Sequence, residues 1–142
     1  MNNVGGFMRF DNQSALREYR QVGVRGHADE ADPVKLISML MSGAQEHIAA
    51  ARGAIEHMDI ALKGEHISKA VMIIQALHDS VREDSSPDLA QKLTALYEYM
   101  VVRLTEGNVR NAVSDLDEAA GLLSGIESAW DQVPTLLAEH KA

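Results

Sequence analysis

The sequence predicts an all-α protein, an antiparallel up-down four-helix bundle with a mobile N-terminal arm. Three observations predict it. Apolar residues recur at alternating steps of three and four along four separate stretches, the period of a helix with one buried face. All three prolines stand at or beyond the edges of those stretches, where proline is tolerated. No stretch alternates apolar and polar residues as a half-buried strand does.

Composition agrees. The chain has 142 residues, 46% of them apolar and 24% charged, enough for one folded core and not a disordered composition. Aromatics make up only 4%, while there are seven methionines. A core of Leu, Ile, Val, Ala and Met suits helices. Cysteine is absent, which excludes disulfides, Cys-based zinc sites and a thiol nucleophile. The formal net charge is -8. The first 31 residues hold four Arg and four Asp or Glu, so the excess of acid belongs to the remainder. A domain this acidic repels phosphate backbones, which argues against nucleic acid and anionic lipid as partners. No apolar run approaches the roughly 20 residues that span a bilayer. The start, Met1 to Phe7, lacks a secretion signal's charge and apolar core, and a cytoplasmic protein is expected.

Residues 1–31 show no sustained period and are interrupted by Gly5, Gly6, Gly23 and Gly26. They read as a mobile arm with one short helix over Ser14 to Val22. Its apolar Leu16, Tyr19, Val22 and Val24 leave two readings open, a loose tail or a detachable strap lying on the bundle. A bundle domain is expected over residues 32–134, and residues 135–142 read as a frayed tail.

Asp32-Pro33 opens the first helix, with Asp supplying the cap oxygen and Pro at the first helical position. Its seam is Ile37, Met41, Ala44, Ile48, Ala51, Ile55 and Met58. Gly64 reads as a breaker in a connection from Asp59. The second helix is expected from about Glu65 to Arg82, with a seam of Ile67, Ala70, Ile74, Leu77 and Val81. Ser86 and Pro87 repeat the capping device for the third. There Leu89, Leu93, Leu96, Met100 and Leu104 share one face, widened by Ala90, Tyr97 and Val101. Tyr99 and Val102 fall outside it, so this helix carries more apolar surface than one seam needs. A second helix, from this chain or a partner, is expected to lie there. Gly107-Asn108 is expected to end it or to cap the next helix. The fourth seam is Val109, Ala112, Leu116, Ala119, Leu123, Ile126 and Trp130, stopped by Pro134.

Catalytic chemistry finds little support. A di-metal carboxylate bundle needs Glu-x-x-His on two helices. Three residues before His47, His57, His66 and His78 stand Ala44, Ala54, Lys63 and Gln75, so the motif is absent and neither metal nor cofactor is expected. A phosphate-binding Gly-rich loop is absent too, and Gly121 and Gly125 fit close helix packing better. His66-Ile67-Ser68-Lys69-Ala70 has the look of a histidine phosphotransfer site, a nucleophilic imidazole beside a cation and a small residue. That is the alternative from another class; the plain reading of Lys69 is a solvated charge. The residues favour a binding module over an enzyme. Met39 and Met72 suit a groove that repacks around a ligand, whereas Met41 and Met58 fit the seam as core. Tyr97 reads as core and Tyr99 as interface. A bundle that only self-associates is a third reading.

Several segments together carry a resemblance. They are Tyr19-Arg20-Gln21-Val22; Ala31-Asp32-Pro33-Val34-Lys35-Leu36-Ile37-Ser38-Met39-Leu40 with Gly43-Ala44; Lys63-Gly64-Glu65-His66-Ile67-Ser68-Lys69-Ala70; and Ile73-Ile74-Gln75-Ala76-Leu77. The strongest is Leu96-Tyr97-Glu98-Tyr99-Met100-Val101-Val102-Arg103-Leu104 with Asn108, and Leu122-Leu123 and Ala129-Trp130 close the pattern. In this order, from Tyr19 to Trp130, the chain resembles the FliS family of flagellar export chaperones. The resemblance implies a cytosolic four-helix chaperone that is not ATP-driven. It implies binding of flagellin's disordered C-terminal segment, which becomes helical on the bundle and is kept from polymerising, and contact with the flagellar export gate. It also implies an arm that occupies part of the groove until client displaces it; arm exchange into a homodimer stays open. By match to the family, Tyr19, Leu36, Leu40, Tyr97, Met100, Leu104 and Asn108 are candidate groove or arm residues, with Tyr99 added from its place off the seam. Two departures stand out, the first of which bears on groove shape and client preference. Met41-Ser42-Gly43 stands where the family commonly has aromatic-Asp-Gly, and Arg82-Glu83-Asp84 where it commonly has Leu-Asp.

Overall fold

A computed structural model describes residues 32–82 and 86–132. Four helices follow one another: α1 (Pro33–Glu56), α2 (Ile60–Asp79), α3 (Pro87–Arg110) and α4 (Val113–Trp130). Each packs on the next, and α4 returns to α1. That closed ring of antiparallel neighbours is the up-down four-helix bundle that short connections favour. Residues 1–31, 83–85 and 133–142 lie outside the described residues, and the sequence expectations of an N-terminal arm and a frayed tail lie there too.

Local chemistry sets the helix starts. The Asp32 carboxylate accepts from the Val34 and Lys35 amides at 3.0 and 3.3 Å, satisfying two of the donors every helix start leaves unpaired. Asp59 does the same for α2, accepting from the Leu62 amide at 3.0 Å. With Asp59 as cap, α2 begins at Ile60 and not near Glu65 as the sequence suggested. Gly64 is therefore inside a helix and breaks nothing, because one glycine costs only ~1 kcal/mol against the packing of a whole helix. Ser86 holds the cap position before Pro87, but its hydroxyl makes no cap bond.

The core forms where the four seams meet. Leu40, Met41, Ala44, Ile48 and Ala51 of α1 meet Ile67, Ala70, Ile73, Ile74 and Leu77 of α2. Tyr97, Met100 and Leu104 of α3 and Leu116, Ala119 and Leu123 of α4 complete it. A fully buried Leu or Ile of this kind contributes ~1.5–3 kcal/mol. The seam expectations fail only at helix ends. Met58 is 84% exposed because α1 stops at Glu56 and Met58 lies in the turn, at φ 60°. Leu89 is 56% exposed in the first turn of α3. Val109 is 78% exposed, because α3 continues to Arg110 and Val109 belongs to its outer side, not to the seam of α4.

Gly107 explains that extension. It does not end α3 but is buried within it, and a Cβ there would strike Leu116 Cδ1 and stand 3.1 Å from Asp115 Cβ. Asn111 ends the helix instead, in the left-handed region at φ 54°, a conformation Asn tolerates better than most residues. Lys63 of α2 ties the corner. It is buried, and its Nζ donates to the Asn108 carbonyl at 2.8 Å and to Asn111 Oδ1 at 2.5 Å. A cation there suits the carbonyl end of α3.

Two substitutions separate close packing from propensity. Gly107→Ala is expected to destabilise by ~1–3 kcal/mol in urea unfolding, since overpacking outweighs the gain in helix propensity. Gly64→Ala, with nothing within 4 Å of the added carbon, is expected to stabilise by up to ~1 kcal/mol. Lys63→Met keeps the stem and removes the donors, and the same measurement is expected to show a loss of ~1–3 kcal/mol.

Candidate functional site

The strongest stretch of the sequence, on α3, presents two faces. Tyr97, Met100 and Leu104 point into the core and are buried, as is Leu40 of α1. Burial alone pushes the Tyr97 hydroxyl up to about 12. Leu36 lies at the rim, half-buried and packed against the core cluster. Asn108 is half-buried, and its carbonyl is engaged by Lys63. Tyr99 faces outward at 42% exposure. Tyr19 lies outside the described residues. Of the candidates described, then, Leu36, Tyr99 and Asn108 carry accessible surface, and the other four line the interior.

The outward face of α3 has its own pattern. Ala95, Tyr99, Val102 and Val109 are all exposed and stand at helical spacing on the side opposite the core. This is the surplus apolar surface that the sequence indicated at Tyr99 and Val102; Val109 extends it toward the α3–α4 corner. Its pivot is held in place. Tyr99 Oη donates to Glu118 of α4 at 2.6 Å, and the Arg103 guanidinium carbon lies 5.8 Å from its ring centroid, within cation–π range. The bond to Glu118 raises the Tyr99 hydroxyl above its ordinary value, with Arg103 opposing. Arg103 also pairs with Glu106 and approaches Asp115 and Glu118 at 3.7 Å each. Arg110 bonds Asp115 at 2.9 Å. So an aromatic ring is presented to solvent in a fixed orientation, at low entropic cost for a partner to engage.

Trp130 of α4 is half-buried against the core at the α1–α4 seam; Leu36, Ile37, Leu122 and Ile126 are also half-buried and packed against the core. The seam is fastened by polar side chains. Gln45 Nε2 donates to the Ala120 carbonyl at 2.9 Å and to Glu127 Oε1 at 3.0 Å. Trp130 Nε1 donates to the Val34 carbonyl at 2.9 Å, and Arg52 pairs with Asp117 at 2.8 Å. Met39 and Met72, the groove candidates among the methionines, are half-buried.

The bundle end formed by the α1–α2 and α3–α4 turns carries one exposed apolar residue that sequence reasoning did not single out and one that it placed in the core. Ile60 is 59% exposed there, beside Met58 in the turn. Only the helix boundaries reveal them, and Asp59 as a cap was the available signal. His66 does not stand alone as a phosphotransfer histidine would. Its Nδ1 is 3.0 Å from that of His47, and the neighbouring Lys69 pairs with Glu65 at 3.6 Å. Among the described residues no three His, Cys, Asp or Glu side chains group so as to hold a metal, and no helix is long and apolar enough to cross a membrane.

Known proteins extend this picture. Residues 15–136 match the family model described as flagellar protein FliS. The flagellar secretion chaperone FliSB of Pseudomonas aeruginosa is 41% identical over 119 residues, 84% of this chain and 94% of that protein. The flagellar secretion chaperone FliS of Salmonella typhimurium is 38% identical over 121 residues, 84% of this chain and 90% of that protein. That of Vibrio cholerae is 34% identical over 122 residues, 86% of this chain and 90% of that protein. Those relatives are named as chaperones, not enzymes, and match nearly their whole length. With an all-α four-helix bundle on which the α3 motif forms both core and outer face, this chain belongs to the FliS family of flagellar secretion chaperones.

Proposed function

We propose that the chain holds the C-terminal segment of flagellin in the cytosol, keeps it from polymerising, and presents it to the flagellar export gate. The observation that carries this reading is the outward apolar face of α3 around Tyr99, on a protein whose family is one of flagellar secretion chaperones. An exposed apolar strip on an acidic, charge-rich bundle suits a client segment that is disordered when free and becomes helical on binding. Ordering that segment consumes part of the contact energy and keeps the complex reversible, which an export chaperone requires. In this reading, residues 1–31 form an arm whose Leu16, Tyr19 and Val22 occupy groove surface until client displaces them.

Calorimetric titration of the full chain with flagellin's C-terminal segment, beside its N-terminal segment, tests the proposal. One-to-one binding to the C-terminal segment only is expected, with a gain in helical circular dichroism and a negative heat-capacity change. Tyr99→Ala, at an exposed position, is expected to weaken binding about tenfold or more while leaving the fold intact. Deleting residues 1–31 is expected to tighten binding. An absence of binding to either segment would overturn the client assignment, and an unchanged affinity in Tyr99→Ala would remove the α3 face from it.

A further inference from the structure

His47 of α1 and His66 of α2 face each other across a helix seam. Their Nδ1 atoms are 3.0 Å apart, and the ring centroids lie 5.2 Å apart with the planes at 35°. Both side chains are half-buried. The alanines buried at this level, Ala44, Ala51 and Ala70, leave room for the two helices to approach and for the imidazoles to meet.

A hydrogen bond between two like nitrogens needs one proton between them. With both rings neutral, one must carry its proton on Nδ1 and the other on Nε2. A first added proton turns the donor ring into an imidazolium, and the bond survives as a charge-assisted one. A second places N–H on both Nδ1 atoms. No acceptor then remains, and two cations face each other at hydrogen-bond distance. The geometry therefore accommodates one proton between the rings and opposes a second.

We propose that His47 and His66 form a one-proton clasp between α1 and α2, closed while the pair carries at most one charge and opened by the second protonation. The α1–α2 seam of this chaperone is then acid-sensitive at one defined point. The surrounding charges are divided. Burial, then His66 and Lys69, hold His47 below its ordinary value, against Glu46 and Glu65, which favour the charged ring. Lys69 and Glu65 also pair with each other, which blunts both fields.

The sign follows from proton counting. His47 is held below its ordinary value, so as pH falls past about 6.5 the unfolded chain binds more protons at this residue than the folded chain, and stability falls as pH falls. His78 works the other way. Burial lowers its affinity for a proton, but bonds to Glu98 at 2.9 Å and Asp79 at 3.2 Å raise it overall. Its contribution is present below the ordinary value and is lost as pH rises through the raised one.

Long-range proton–nitrogen NMR of the full chain at pH 7.5 tests the clasp directly. One of the two rings is expected in the Nδ1-protonated form, the less common one for free histidine, and acidification is expected to resolve two steps for the pair. Melting temperatures between pH 7.5 and 5.0 give the second readout. His47→Gln and His66→Gln, which can still hydrogen-bond but cannot become doubly charged, are expected to lose less on acidification than the wild type. His78→Gln is expected to lose more. Two Nε2-protonated rings titrating independently, or a wild-type pH slope matched by both clasp variants, would overturn the proposal. The NMR arm needs no substitution, so it decides even where a variant fails to fold.

Discussion

The corner between α3 and α4 is the constraint on which the rest of the bundle depends. Gly107 lets Leu116 come so close that no side chain fits between them. The closeness is reinforced by the Ala112 amide, which donates to the Gly107 carbonyl at 3.0 Å. Asn111 reverses the chain in the left-handed region, and Lys63 arrives from α2 to bind both the Asn108 carbonyl of α3 and the Asn111 side chain. One missing Cβ and one buried ammonium thus fix three helices relative to one another. A buried lysine is costly unless its donors are satisfied, so the corner tolerates little movement of α2 against α3.

From that corner two different kinds of seam extend. The interior is filled by aliphatic side chains and Tyr97, and its strength is non-directional. The outer edges of the α1–α4 and α3–α4 seams are polar and directional. Gln45, Trp130 and Arg52 fasten one; Arg103, Arg110, Asp115 and Glu118 fasten the other. Exposed ion pairs of this sort add little stability. What they supply is register, and on α3 they hold the ring of Tyr99 in one orientation. An apolar strip on a helix so fixed can receive a partner without first reorganising, while the core behind it stays closed.

Much of this was legible in the residues themselves. The seams of Met41, Ala44, Ile48 and Ala51 on α1, Ile67, Ala70, Ile74 and Leu77 on α2, and Leu116, Ala119 and Leu123 on α4 are all buried. Helical periodicity reports burial faithfully wherever a helix is continuous. Asp32-Pro33 acts as a start because capping is a local interaction between an oxygen and amides two and three residues away. Within one motif, the inward Tyr97 and outward Tyr99 are separated by helix geometry alone. What was misread lies at helix ends and at glycines: Gly121 and Gly125 have nothing within 4 Å of an added Cβ and so serve no close packing. Gly64 and Gly107 both look like breakers, yet both sit inside helices, since glycine permits a turn without requiring one.

Sequence by itself therefore determined the all-α class, the four core faces and the outward position of Tyr99, because each follows from spacing along a single helix. Only the tertiary structure decided where the helices stop, that Met58 and Val109 face solvent, that Gly107 is a contact with Leu116, and that His47 meets His66. Each of those depends on which residue of another helix lies opposite, and spacing along one chain segment carries no information about that.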